Sequence, residues 1–248
     1  MIEIVHVKKS FRKPVLVDVN LMIETGETMV IIGRSGCGKS VLLKHIIGLI
    51  RPDSGTVLID REDITRLEGS ALAQLRQRFG MLFQGAALFD SMTVGQNVGI
   101  GLVTHLKQPP DEVAGRITEC LRMVGLSGIE SMKPAELSGG MRKRVGLARA
   151  IAMRPEYILY DEPTTGLDPI MADIINEMIL RLQQQLSMTS IAVTHDMVSA
   201  YRIADRIAML HEGIIRFVGT PEEIRASSDP VVQQFIQGKA EGPIKSLD

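Results

Sequence analysis

The stretch "TMVIIGRSGCGKSVLLKHIIGLI", Thr28 to Ile50, constrains the fold of this chain more than any other. A short apolar run, Thr28 to Ile32, meets "GRSGCGKS" (Gly33 to Ser40), after which apolar residues recur with helical spacing until Arg51-Pro52. Strand, glycine-rich turn and helix in that order match the G-x-x-x-x-G-K-[ST] loop. Its glycines allow the backbone to curl so that successive N–H groups point into one concavity, against the positive end of the following helix. A loop of this kind follows a buried strand. Strands alternating with helices along the rest of the chain predict an α/β fold, a mainly parallel sheet with helices on both faces.

Further strands are expected at Ile2 to Val7, Val15 to Ile23, Gly55 to Asp60, Phe79 to Phe83, Tyr157 to Tyr160, Ser190 to Thr194 and Arg206 to Leu210. Thr25-Gly26 marks a turn between two early strands. From about Val94 to Met153 the pattern becomes helical, broken at Pro109-Pro110, Gly125 to Gly128 and Pro134. It is placed as an α-helical subdomain, about residues 86–155, inserted into the α/β core. A long helix is expected between Pro169 and Gln185.

Composition narrows the function. A formal net charge of -1 argues against a protein that coats nucleic acid, so no nucleic-acid partner is expected. The longest apolar candidate, "HIIGLI", is cut by Arg51 and Pro52 and falls short of a bilayer span. The amino terminus, "MIEIVHVKK", alternates like a strand and does not read as a signal peptide. Two cysteines, Cys37 and Cys120, are too few for a disulfide framework. A soluble cytosolic protein is the expectation.

The residues suited to chemistry fall at strand ends. Lys39 brings a mobile positive charge to the β and γ phosphates of a nucleotide, and the Ser40 hydroxyl suits Mg²⁺. In "YILYDEP", Asp161 and Glu162 stand at the carboxyl end of an apolar strand, where ligands bind in open α/β sheets. Asp161 is expected to hold Mg²⁺, through water, and Glu162 to polarise an attacking water as general base. Gln84 follows "FGMLF" and is expected to ligate Mg²⁺ or position water; His195 follows "SIAVT" and is expected to hydrogen-bond the γ-phosphate. "ELSGGMRKR", Glu136 to Arg144, looks like a second loop opening a helix, and so a second anion site. Its Arg142, Lys143 and Arg144 read as a solvated helix face with some contact to the partner, and Cys37 as a small residue filling a permissive place in the first loop.

Taken in order, "GRSGCGKS", "LFQ", "LSGGM", "YILYDEPTTGLD" and "AVTHD" resemble the nucleotide-binding domain of ABC ATPases over nearly the whole chain. The resemblance implies a P-loop NTPase (RecA-like) core, an N-terminal antiparallel β subdomain and the inserted helical subdomain. The cassette would span residues 1–238, with a tail at 239–248. ATP and Mg²⁺ are the implied cofactors. ATP would bind at Gly33, Arg34, Ser35, Gly36, Cys37, Gly38, Lys39 and Ser40; Mg²⁺ would bind at Ser40, Gln84 and Asp161. Glu162, His195 and Lys39 would be catalytic, and Phe11 would stack on adenine where the family more often has Tyr. The resemblance also gives the second anion site its purpose. Two copies would pair head to tail, and Ser138, Gly139 and Gly140 of one would close over the ATP held by the other. Asp168 matches the loop that communicates across that interface.

"MLFQGAALFDSMTVGQNVGIGL", "LSGGMRKRVGLARAIAMRPE" and "DPVVQQFIQGKAEGP" are most similar to the MlaF-type ATPases of bacterial phospholipid transporters. Met141 departs from the family's usual Gln in the signature loop and agrees with that subgroup. This likeness implies an ATPase that powers phospholipid transport for outer-membrane lipid asymmetry, peripheral on the inner face of the inner membrane. Its implied partners are an MlaE-type permease, an MCE lipid-binding protein and a small STAS-like regulatory subunit. The apolar residues Ala86 to Phe89, Met92 and Val94 would in part receive a permease helix and in part be core of the helical subdomain, and residues 229–243 would contact the partner ATPase. The competing readings are an importer ATPase for another small solute, a soluble non-transport ABC ATPase, and a P-loop small-molecule kinase. The last is opposed by the signature loop and Glu162.

Overall fold

The computed structural model describes residues 1–245. Of the tail expected at 239–248, residues 246–248 lie outside the described residues. In chain order the strands are β1 (Ile2–Ser10), β2 (Pro14–Ile23), β3 (Thr28–Ile32), β4 (Ser54–Ile59), β5 (Glu62–Asp63), β6 (Phe79–Leu82), β7 (Tyr157–Asp161), β8 (Thr189–Thr194), β9 (Arg206–His211) and β10 (Ile214–Gly219). The helices are α1 (Lys39–Ile46), α2 (Gly69–Gln77), α3 (Val94–Gly101), α4 (Pro110–Met123), α5 (Gly139–Ala152), α6 (Pro169–Leu186), α7 (Met197–Ile203), α8 (Pro221–Arg225) and α9 (Pro230–Gln237). Among the described residues no helix is long and apolar enough to cross a membrane.

The chain forms two compact units, Met1–Leu72 with the chain from Ile191 onward, and Ala73–Ser190. In the first, the strand order is β5-β4-β1-β2-β10-β9-β3-β8. β1 lies antiparallel to both β2 and β4, which is the expected N-terminal antiparallel subdomain. β1 slips register between Ile4 and Val7, and His6 takes a left-handed φ of 50° there. Facing it, a Cβ on Gly55 would come 2.3 Å from the His6 carbonyl oxygen, so glycine is required at that close approach. β3 is buried at all five positions and runs parallel to β9, from Met29↔Arg206 to Ile32↔Met209. A continuous apolar run is what a strand covered on both faces needs.

In the second unit β6 runs parallel to β7, from Phe79↔Tyr157 to Leu82↔Tyr160. The helices α3, α4 and α5 occupy the stretch between them, and their boundaries follow the expected breakers. Thr93 and Gln96 form a reciprocal capping box at the start of α3, and Pro110 opens α4. Ser138 caps α5, and Asp168 caps α6 by accepting from the Ile170 and Met171 N–H groups. Two strands were not expected from the sequence, β5 and β10. β10 alternates exposed and half-buried residues around Arg216 and pairs antiparallel with β9, so it lacks the buried apolar run that marks the parallel strands.

Candidate functional site

In the first unit the loop Gly33 to Ser40 joins β3 to α1 as the motif requires. Gly33, Gly36 and Gly38 have φ of 154°, 79° and 107°. At Gly33 the reason is steric: a Cβ would lie 2.4 Å from the Leu210 carbonyl oxygen and 2.8 Å from the Cys37 sulfur. Lys39, 6% exposed, folds back and donates to the carbonyls of Gly33 (2.7 Å) and Arg34 (3.1 Å). The loop is therefore preformed around its own cation. Arg34, Ser35, Gly36 and Cys37 line a cavity of about 780 Å³ together with Val15 and Pro243 to Lys245. Arg34 Nη1 donates to the Lys245 carbonyl at 2.7 Å, and Gln234 brackets Ile244, accepting from its N–H at 2.6 Å and donating to its carbonyl at 3.1 Å. Thus part of the tail packs on its own unit, beside the loop. Burial pushes the Cys37 thiol up, against the pull of Lys39, so the thiolate is disfavoured.

Phe11 and His195 do not line that cavity. Phe11 is 58% exposed, with the Lys9 ammonium 5.7 Å from its ring centre, so it is a surface aromatic and no part of a hairpin core. His195 is exposed directly after β8, and the next residue, Asp196, caps α7 by accepting from the Val198 N–H.

The second unit holds the remaining candidates. Glu162 follows β7 and is nearly buried, with a left-handed φ of 51°. That conformation costs a non-glycine residue about 1–2 kcal/mol. The turn is held from three sides: Thr165 N–H donates to the Glu162 carbonyl at 3.3 Å, Thr165 Oγ1 to Oε2 at 3.0 Å, and Lys143 Nζ to the same carbonyl at 3.1 Å. Lys143 corrects the expectation of a solvated face at Arg142 to Arg144. Only Arg142 is exposed; Lys143 is 6% exposed and Arg144 is half-buried, donating to the Gly125 carbonyl.

Gln84 is exposed just beyond β6, and the loop after it makes a tight bend in which Ala86 and Ala87 have φ of 61° and 47°. Arg149 of α5 donates to both carbonyls, Nη2 to Ala86 and Nη1 to Ala87, at 2.6 Å each. Ser138 and Gly139 are exposed at the start of α5, whereas Gly140 is buried. A Cβ on Gly140 would sit 2.4 Å from the Met171 methyl, the far end of a flexible side chain on α6 that would have to shift to admit it. The apolar groove differs in composition from the one expected. Ala86 and Val94 are core, 1% and 0% exposed. A cavity of about 710 Å³ is lined by Met92, Gly99, Ile100, Val103, Val113 and Ile117.

A family profile described as ABC transporter matches residues 16–165, from β2 through the Glu162–Thr165 turn. The chain belongs to the ABC transporter family. An ABC cassette binds and hydrolyses ATP, and this ABC chain is an ATPase. It is 42% identical to the "Probable ribonucleotide transport ATP-binding protein mkl" of Mycobacterium leprae, over 98% of this chain and 70% of that protein. It is 40% identical to the intermembrane phospholipid transport system ATP-binding protein MlaF of Haemophilus influenzae, over 92% of this chain and 86% of MlaF. Among solved ABC cassettes, the dimeric post-hydrolysis structure of MJ0796 bound to ADP and Pi matches at a TM-score of 0.82 and 33% identity, covering 89% of this chain and 99% of that one.

The sequence carried no expectation of Lys143 and Thr165 on Glu162, of Arg149 on Ala86 and Ala87, or of residues 234–245 beside the Gly33 to Ser40 loop. A signal existed for Lys143. It stands three residues after Gly140 and four before Leu147, on the stripe that a 3.6-residue repeat turns inward.

Proposed function

We propose that this ABC ATPase powers phospholipid transport through a membrane permease, as a pair of copies that close head to tail on ATP. The observation that carries this reading is the match to MlaF, 40% identical across 92% of the chain. The E. coli MlaF (39% identical) and a chloroplast protein of Arabidopsis named for trigalactosyldiacylglycerol (38%) support it. The same reading includes an MlaE-type permease, an MCE protein, a STAS-like subunit and a location on the inner face of the inner membrane. The helical subdomain, about residues 86–155, presents the groove around Ile100 and Val103 to a permease helix. Asp168 relays between the paired copies.

Each residue then has a task. The N–H groups of the Gly33 to Ser40 loop and the Lys39 ammonium bind the β and γ phosphates, and Phe11 offers a ring face to adenine. The donors for Mg²⁺ are the Ser40 hydroxyl, the Gln84 amide oxygen and the Asp161 carboxylate. They are hard oxygens, few enough to leave room for water and phosphate, which fits this ion. Bound there, Mg²⁺ neutralises charge on the phosphate oxygens. Glu162 takes the proton of the attacking water, and His195 hydrogen-bonds the γ-phosphate. Ser138, Gly139 and Gly140 complete the site of the opposite copy.

The test is to purify the chain with its cognate membrane permease and identify the bound lipid by mass spectrometry. Phospholipid in the complex, together with ATPase activity that changes when the permease is in a bilayer, is the expected result. Val103→Asp places a charge at an apolar contact and is expected to weaken assembly while sparing ATP binding. A complex that carries nucleotide or another solute and no lipid would overturn the phospholipid reading.

A further inference from the structure

We propose that Lys143 is a positioning residue for Glu162: its buried ammonium fixes the backbone turn that aims the general base. The inference rests on Glu162 being that base and goes on to name what holds it in place.

The turn needs holding. Glu162 has the left-handed φ of 51° that favours glycine, and it carries a side chain whose direction matters. The Glu162 carbonyl accepts from the Lys143 ammonium at 3.1 Å and from the Thr165 N–H at 3.3 Å, and loss of Lys143 removes the shorter, charged contact. The carboxylate oxygen held by Thr165 Oγ1 belongs to the same four-residue turn, so a backbone that relaxes at Glu162 takes both contacts with it. Lys143 comes from outside the turn, on α5, and ties the turn to a rigid element.

A purely structural role does not account for a lysine at this place. The residue is 6% exposed and lies on an inward stripe with Gly140, Leu147 and Ala150. Burial lowers the pKa of Lys143, while the charges of Glu162 and Asp161 favour its protonated form. An apolar side chain would fill such a place without the desolvation penalty of an ammonium. What an apolar residue lacks is a donor for the Glu162 carbonyl and a positive charge beside the two acids.

The experiment uses the purified full-length chain and reads kcat for ATP hydrolysis separately from ATP affinity. Lys143→Met keeps length and removes the donor. Misplacing a catalytic group by about 1 Å costs up to roughly a hundredfold, so kcat is expected to fall about 10- to 100-fold with the ATP Kd within about twofold. Lys143→Arg restores a cationic donor and is expected to recover most of the loss. In a Glu162→Gln background, Lys143→Met is expected to add nothing, because it acts through Glu162. Should Lys143→Met fail to fold, Lys143→Leu, which also lacks a donor, is judged by the same criteria. A kcat within about twofold of native, a fall in ATP affinity that matches the fall in kcat, or an additive loss beside Glu162→Gln would each overturn the proposal. The two ideas separate cleanly. Native turnover in Glu162→Gln removes Glu162 as the base, whereas an inactive Glu162→Gln beside an active Lys143→Met removes only the role of Lys143.

Discussion

Removing the Arg149 guanidinium is expected to loosen the loop after Gln84 more than any other part of the second unit. Ala86 and Ala87 sit in left-handed conformations at about 1–2 kcal/mol each, and both carbonyls accept from Arg149 at 2.6 Å. Hydrogen bonds from a charged donor contribute about 1.5–3 kcal/mol each. Allowing for partial solvent access, Arg149→Ala is expected to cost the loop about 2–4 kcal/mol. The Ala86 amide reports this locally, because its N–H donates to the Phe83 carbonyl at 2.8 Å within the same bend. At 1.4 kcal/mol per factor of ten, its hydrogen exchange is expected to quicken about 30- to 1,000-fold, with amides in α4 as the internal reference. Arg149→Lys, which can keep one contact, is expected to fall between. Ala87→Gly in the native background is expected to slow opening slightly, since glycine relieves the left-handed strain at some entropic cost. Exchange at Ala86 unchanged within about threefold in Arg149→Ala would refute the clamp.

Two further outcomes concern the start of α5 and the pairing of copies. Gly140→Ala forces a Cβ to within 2.4 Å of the flexible Met171 methyl, so it is expected to destabilise the fold modestly. Adding Met171→Ala is expected to restore thermal stability; if ATP-dependent pairing of copies returns with it, Gly140 serves packing alone and has no phosphate role. Lys39→Ala and Ser138→Arg are each expected to block ATP-driven pairing, because every like pair repeats its lesion at both sites. A mixed pair with Glu162→Gln in both copies places both lesions on one site and leaves the other native. Differently labelled chains are expected to pair more readily mixed than alike, and absence of that gain would remove Ser138 from the opposite copy's nucleotide.

The chain's own order of residues determined the local features. "GRSGCGKS" carries its turn in its glycines, and the strand before it is legible because burial on both faces selects an unbroken apolar run such as "TMVII". Helix starts at Thr93, Ser138 and Asp168 were equally readable, since a cap acts over three residues. The helical repeat marks a stripe of α5 to turn inward, but tertiary structure alone decided which partners that stripe meets. That choice made Lys143 a buried partner of Glu162, although in the run "MRKRV" it is one cation among three. It also sent Arg149 to the Ala86 and Ala87 carbonyls, 63 and 62 residues away, and set Met171 against Gly140. The same packing made core of Ala86 and Val94, leaving the groove to Ile100, Val103 and Ile117. Apolar character is written at each position, but whether a given apolar or charged side chain is covered depends on which distant element arrives over it.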